Sequence, residues 1–369
     1  MDGRFRLFVP VTLFSAAAEE RLRDSGEIEL EFALEPEDRV YGRTDAESLI
    51  PQVDAALADA LADLEVLFAI TANQQLTVSR QMIADAPELL VVFVVGVGTD
   101  GIDLEAASEA GVAVINAPGS NYRSVSEHAV ALILALTRRL PQGDRVAHAE
   151  RRPPTIADLG GTPTTLRGAT LGVLGLGFIG REVARICRDG FGMKVRAFDP
   201  FANPIEAERL GFTLEDDLEA VLRSADVVTV HTPLTPATEK LIGAAQLELM
   251  KPGALLVNTS RGGTVDTEAL VAALEAGEIA GAGLDVTDPE PLPADHPLLA
   301  LPSVVISPHC AAMAPGQVER GAMLATEGVL RALRGERPWN LVNPAAWPHY
   351  LERLQAHRTA AGSPKGVAA

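Results

Sequence analysis

Residues 169–199, ATLGVLGLGFIGREVARICRDGFGMKVRAFD, decide the architecture. The apolar run ATLGVL breaks at Gly175, Gly177 and Gly180 and gives way to REVARICRDGFG, whose pattern is helical. A second apolar run, KVRAF, then ends on Asp199. Strand, glycine turn, helix and strand in this order begin a doubly wound α/β sheet, a Rossmann domain, and each glycine has its own physical duty. The first permits a tight turn, the second lets a pyrophosphate reach the backbone, and the third lets helix and strand pack closely. The helix start, with Phe178 and Ile179, offers unpaired N–H groups and positive partial charge, so a dinucleotide is the expected ligand. Asp199, 19 residues beyond Gly180, stands where a carboxylate accepts from the adenosine ribose hydroxyls and repels a 2′-phosphate. Pro200 and Phe201 follow it and no arginine does, so NAD is expected over NADP.

Working outward, the sequence after this turn continues the alternation. Strand candidates at 170–175, 194–198, 226–230, 254–258, 282–286 and 303–306 are separated by helical stretches such as 215–223 and 267–275, giving six strands. Upstream, short apolar runs at 7–11, 65–70, 89–95 and 112–115 alternate with helical patterns, so a second, flavodoxin-like α/β domain precedes the first. After Pro118 and Gly119 a helix begins, where Ser124 and Glu127 have the spacing of a capping box. From 129 to 136 this helix is apolar on every side and needs cover from two domains or a second subunit, so a homodimer is expected. Positions 139–165 are polar and proline-rich without a sustained period and read as a connecting arm. The expected organisation is a discontinuous substrate-binding domain, 1–118 with 313–346, around an NAD-binding Rossmann domain at 119–312, followed by a loosely ordered tail at 347–369.

Composition narrows the classes. At about 150 residues per domain, 369 residues suit two domains. The 31 basic and 50 acidic residues leave a net charge of −19 with no basic block, so nucleic acid is excluded as a partner. The longest apolar stretch, 89–98, is short of the roughly 20 residues that span a bilayer, so no membrane span is expected. Cys187 and Cys310 make no disulfide framework and suit the reducing cytoplasm. The N-terminal LFVPVTLFSAAA reads as a first strand rather than a secretory leader, since Asp2 and Pro10 interrupt the leader pattern. Seven scattered histidines show no metal-ligand spacing, so no metal is expected.

In doubly wound sheets the working crevice lies beyond the carboxyl ends of the strands. The polar residues there are Asp199, His231, Arg261, Asp285 with Glu290, and His309. A guanidinium clamps a substrate carboxylate bidentately, a histidinium delivers a proton as hydride arrives, and a carboxylate holds the other imidazole nitrogen. Beside a nicotinamide cofactor, these groups are the minimum equipment for reducing a 2-keto acid. Asp266 reads as a helix N-cap. Cys310, next to His309, is not expected to form a nucleophile pair with it, because neighbours on an extended strand end point to opposite sides.

GLGFIG with Asp199, VHTPLTPAT, VNTSRGGTVDTEAL, GAGLDVTDPEP and SPHCAA, preceded by VGVGTDGIDLEAASEAGVAVINAPGSN, resemble the D-isomer-specific 2-hydroxyacid dehydrogenase family over about residues 60–345. The resemblance implies Arg261 as the substrate-binding arginine, Glu290 as the carboxylate supporting the histidine, and His309 as the acid–base group. It also implies cofactor contacts at His231, Thr232, Pro233, Thr259 and Asp285, the last toward the nicotinamide carboxamide. Backbone N–H groups at Val97 and Gly98 would hold the substrate carboxylate.

Val94 and Val95 stand where members acting on phosphorylated acids often have a basic residue, and the chain is expected to lack a C-terminal regulatory domain. Glu290 argues against the formate-oxidising branch, which has Gln there, and Ala314 replaces a frequent Thr. The expected activity is NAD-dependent interconversion of a small unphosphorylated 2-keto acid, such as hydroxypyruvate or glyoxylate, and its D-hydroxy acid. The alternative is an NAD(H)-sensing regulatory protein of the corepressor type.

Overall fold

The computed structural model describes residues 4–9, 15–33, 50–69, 77–314 and 316–362. The chain divides into two compact units, Met1–Asn121 with Ala314–Ala369, and Tyr122–Met313.

The first unit contains β1 (Phe5–Val9), β2 (Ile28–Phe32), β3 (Val66–Phe68), β4 (Val91–Phe93) and β5 (Ala113–Ile115) in one parallel sheet of order β2-β1-β3-β4-β5. This is the flavodoxin-like order. Every residue of β3, β4 and β5 is buried, as in strands covered on both faces, which is why VLF, VVF and AVI show no polar alternation. The sequence reading has no counterpart to β2. Its alternation of Glu29 and Glu31 with apolar residues marks a half-exposed edge strand, a weak signal over five residues. Positions 10 and 11 of the expected first strand, and position 70 of the next, lie outside the described residues.

The expected loose tail is instead a helix, Trp347–Gly362. Trp347, Tyr350 and Leu354 recur at helical spacing; Tyr350 and Leu354 are buried against Phe5, Val329 and Leu333, and the Trp347 and Tyr350 rings stack at 4.8 Å. The Arg353 guanidinium donates to the carbonyls of Leu89 (2.7 Å) and Ala110 (2.9 Å), tying this helix to its own unit. The Ala/Gly-rich composition that suggested disorder belongs to the last residues, and 363–369 lie outside the described ones.

The second unit holds β6 (Thr170–Leu174), β7 (Lys194–Phe198), β8 (Thr213–Leu214), β9 (Val227–Val230), β10 (Leu255–Asn258), β11 (Gly281–Leu284) and β12 (Val304–Ile306). They form one parallel sheet of order β12-β11-β10-β9-β6-β7-β8. The chain winds one way from β6 and the other way from β9, so the switch point lies between these neighbours. There are seven strands rather than six, because β8 is a two-residue edge pairing too short to read from sequence.

The helix Tyr122–Arg138 lies on β11, and the glycines of GAGL make room for it. A Cβ on Gly283 would come within 3.1 Å of both Leu132 and Leu136. Because the helix begins at Tyr122, Ser124 is its third residue and the expected capping box is absent. Leu132, Ile133 and Leu136 are buried within this unit, while Ala131 is exposed. The expected arm also contains a helix, Leu140–Ala149, entered through Arg139 at φ +52°. Only Gln142 and Val146 are buried on it, too few positions to show a period. Among the described residues no helix is long and apolar enough to cross a membrane.

Candidate active site

The turn after β6 follows from its glycines. Gly175 has φ +92°, and a Cβ there would lie 2.9 Å from the carbonyl of His231 on the neighbouring strand end. A Cβ on Gly180 would fall 2.0 Å from the Gly175 oxygen, so the helix Phe178–Phe191 packs against the turn only as glycine. Gly177 caps that helix and faces open space, with nothing within 4 Å of a built Cβ. Phe178 is 63% exposed, and the Ile179 carbonyl accepts from Ser126 Oγ at 3.2 Å. Asp199 reaches back from the end of β7. One carboxylate oxygen accepts from Leu176 N (2.7 Å) and the other from Phe201 N (2.8 Å), while the Leu176 carbonyl accepts from Arg181 Nε (2.6 Å). The middle residue of the turn is thus held on both sides.

Three buried polar side-chain atoms at the ends of β9 and β10 have no hydrogen-bond partner among the described residues: His231 Nδ1, Thr232 Oγ1 and Thr259 Oγ1. Buried polar groups are almost always satisfied, so three orphans on one sheet edge mark where a polar ligand completes the structure. His231 Nε2 is engaged with Thr229 Oγ1 at 2.9 Å, and burial pushes the imidazole pKa down to about 3, so the ring is neutral. Pro233 follows on the exposed surface. An open glycine face at a helix N-terminus, a carboxylate ending the second strand and these orphaned atoms together fit a dinucleotide.

The chemical groups cluster at the other arm of the sheet. Asn258, Leu284 and Ile306 lie in register across β10, β11 and β12, so the residues just after them share one edge. Arg261 sits three residues beyond Asn258; its carbonyl accepts from Asn258 Nδ2 (2.9 Å) and Thr264 Oγ1 (2.7 Å), and its Nη1 donates to the Ser260 carbonyl (2.7 Å). A Cβ on the next residue, Gly262, would fall 1.9 Å from Thr287 O, so the Arg261 loop abuts the turn that carries Glu290. Glu290 Oε1 lies 2.6 Å from His309 Nδ1, and its Oε2 accepts from Thr287 N at 3.3 Å. Both side chains are about a quarter exposed, at 23% for His309 and 27% for Glu290.

Asp285 is 1% exposed. Its Oδ1 accepts from Ser307 Oγ (2.7 Å) and Cys310 N (3.0 Å), its Oδ2 from Ala311 N (3.0 Å), and its carbonyl from His309 N (2.8 Å). His309 has φ +51°, in the left-handed region, so residues 309 and 310 do not lie on the extended strand end expected from sequence. The thiol has a different restraint: burial and then the Asp285 carboxylate push its pKa up, away from the thiolate a nucleophile needs.

Val97 and Gly98 belong to the other unit, in the turn after β4, where Val97 is exposed and its carbonyl accepts from Asn116 Nδ2 at 2.8 Å.

Two residues escape the sequence reading, His128 and Ser307. His128 Nε2 lies 2.7 Å from Ser307 Oγ. Ser307 directly follows β12, and a list of all polar residues at strand ends contains it; His128 is 179 positions away on a helix and has no such signal. Folding also gathers His128, Asp285 and Cys310 so that their ligand atoms lie within 4.8 Å of one another, a grouping the scattered histidines did not suggest. The Ser307 hydroxyl lies 2.7 Å from both His128 Nε2 and Asp285 Oδ1, so hydrogen bonds satisfy these groups.

The model of the family "D-isomer specific 2-hydroxyacid dehydrogenase, NAD binding domain" matches residues 130–311. A D-3-phosphoglycerate dehydrogenase of Archaeoglobus fulgidus is 41% identical over 295 residues, covering 79% of this chain and 55% of that protein. A glyoxylate reductase of Korarchaeum cryptofilum is 39% identical over 266 residues, covering 72% of this chain and 80% of that one. The crystal structure of the TT0316 protein of Thermus thermophilus superposes with a TM-score of 0.75 at 37% identity, covering 92% of this chain and all of that chain. The chain spans about half the length of the D-3-phosphoglycerate dehydrogenases it matches.

Proposed function

The chain belongs to the D-isomer-specific 2-hydroxyacid dehydrogenase family, and from there we propose that it catalyses the NAD-dependent interconversion of a small unphosphorylated 2-keto acid and its D-2-hydroxy acid. The observation that carries this reading is the 2.6 Å contact of His309 Nδ1 with Glu290 Oε1. With Nδ1 held by a carboxylate, Nε2 is the nitrogen left to exchange a proton with the substrate oxygen, and the carboxylate stabilises the imidazolium. Bound NAD(H) supplies the hydride. Arg261 clamps the substrate carboxylate and polarises the keto group. The turn that Gly175 and Gly180 shape would receive the pyrophosphate at Gly177, Phe178 and Ile179, Asp199 would meet the adenosine ribose, and His231, Thr232, Pro233, Thr259 and Asp285 the nicotinamide half.

Val94 and Val95 support an unphosphorylated, hydroxypyruvate- or glyoxylate-like substrate. Two free cysteines, Cys187 and Cys310, support a cytoplasmic setting, and the exposed Leu140 (61%) and Ile156 (83%) support a homodimer.

The test is loss of NADH absorbance with a panel of 2-keto acids, and the reverse reaction with 3-phosphoglycerate and NAD. Turnover of a small keto acid that drops about 100-fold or more in His309→Ala supports the reading. Tight NADH binding with no turnover on any acid overturns it, and preference for 3-phosphoglycerate overturns the substrate class.

A further inference from the structure

The helix Tyr122–Arg138 delivers His128 to the back of the acid–base loop. Its Nε2 is 2.7 Å from Ser307 Oγ and 3.4 Å from Asp285 Oδ1, and Ser307 Oγ is 2.7 Å from the same carboxylate oxygen. An ionised carboxylate only accepts, so the serine gives its one proton to Asp285 and its lone pair takes a hydrogen from His128. His128 Nε2 is therefore the protonated nitrogen, and the three groups form a directed chain from the helix to the carboxylate.

The far end of that chain is backbone. Asp285 accepts from the N–H groups of Cys310 and Ala311, and its carbonyl accepts from the N–H of His309. Three consecutive amides are thus fixed to one residue. The left-handed conformation at His309 costs about 1 kcal/mol and persists only where the surroundings over-determine it. Asp285 is 1% exposed, and His128 Nε2 lies 3.4 Å from its Oδ1. Charge-assisted hydrogen bonds in such a site are the strong ones, and a buried network is sensitive to the loss of any member.

We propose that His128 is a positioning residue: through Ser307 and Asp285 it holds the amides of Cys310 and Ala311, and with them the backbone conformation from which His309 addresses the substrate. The proposal rests on His309 being the acid–base group, as argued above.

The experiment compares His128→Phe, His128→Gln, Ser307→Ala and the double variant His128→Phe/Ser307→Ala in the full chain, by amide hydrogen exchange across 307–313 and by steady-state kinetics. Gln reaches the position of Nε2 with an N–H donor, whereas Phe keeps the bulk and loses the donor. Expected are about tenfold or greater losses of exchange protection at 310 and 311 and of kcat in His128→Phe, a KM for the keto acid within about twofold, and substantial rescue by Gln. The double variant is expected to fall little below the worse single one, since both break one chain. Unchanged protection and kcat in His128→Phe, or losses that Gln does not rescue, overturn the proposal. If His128→Phe does not fold, Ser307→Ala decides alone: protection and kcat at wild-type levels overturn it. A wild-type chain that turns over no keto acid defeats the functional reading, yet the exchange arm still decides the chain from His128 to the amides.

Discussion

His309 Nδ1 and Glu290 Oε1 meet at 2.6 Å although 19 residues separate them, because the loops after β11 and β12 are neighbours at one sheet edge. Glu290→Gln keeps an oxygen acceptor for Nδ1–H but removes the charge, and Glu290→Ala removes both. A hydrogen bond to a charged group contributes about 1.5–3 kcal/mol, so kcat is expected to fall about 10- to 150-fold in Ala and less in Gln. Equal losses in the two variants would show that charge, rather than orientation, is all that Glu290 supplies.

Asp199 holds the glycine turn through Leu176 N while facing the proposed ribose site. Asp199→Ala is expected to raise the Kd for NADH and narrow the preference over NADPH by about tenfold or more, since a repulsive carboxylate is removed. Titration by quenching of protein fluorescence with each cofactor measures this; an unchanged ratio contradicts the ribose assignment.

The glycines of the turn separate folding from binding. Gly180→Ala drives a methyl into the Gly175 carbonyl, 2.0 Å away, and should cost about 1–3 kcal/mol or more with loss of dinucleotide binding. Gly177→Ala meets nothing within 4 Å, so its Tm should fall only by the small cost of alanine at a helix N-cap while NADH affinity drops, because the methyl fills the space a pyrophosphate would take. Paired thermal melts and NADH titrations distinguish the two.

His231 sets a pH dependence of stability. Its pKa in the fold, about 3, is below the ordinary 6.5, so the unfolded chain takes up a proton that the fold refuses. This contribution is complete above pH 6.5 and is lost progressively as pH falls toward 3, with a slope of at most about 1.4 kcal/mol per pH unit. Urea midpoints at pH 7 and pH 5 should differ less in His231→Asn than in wild type.

The glycine turn, Asp199 and the polar residues after β9 to β12 were legible because each sits at a break between an apolar run and a helical pattern, where backbone demands select residue type. Edge and cover elements were not. β2 and β8 are short and half-exposed, and the helix Leu140–Ala149 buries only two residues, so none leaves a sustained apolar period. The helix Trp347–Gly362 was obscured by the small residues at its end, although Trp347, Tyr350 and Leu354 already formed a stripe. The His128–Ser307–Asp285 chain joins positions 179 and 22 residues apart, and only folding discloses that one hydroxyl lies between an imidazole and a carboxylate.

The left-handed backbone at His309 sets stability against chemistry at one position. Glycine occupies φ +51° without the penalty a β-carbon brings, so a library selected for heat resistance alone should enrich His309→Gly and lose its chemistry in the same step. Under selection for turnover the imidazole returns despite its cost, and the two enrichment profiles should diverge most sharply at this codon.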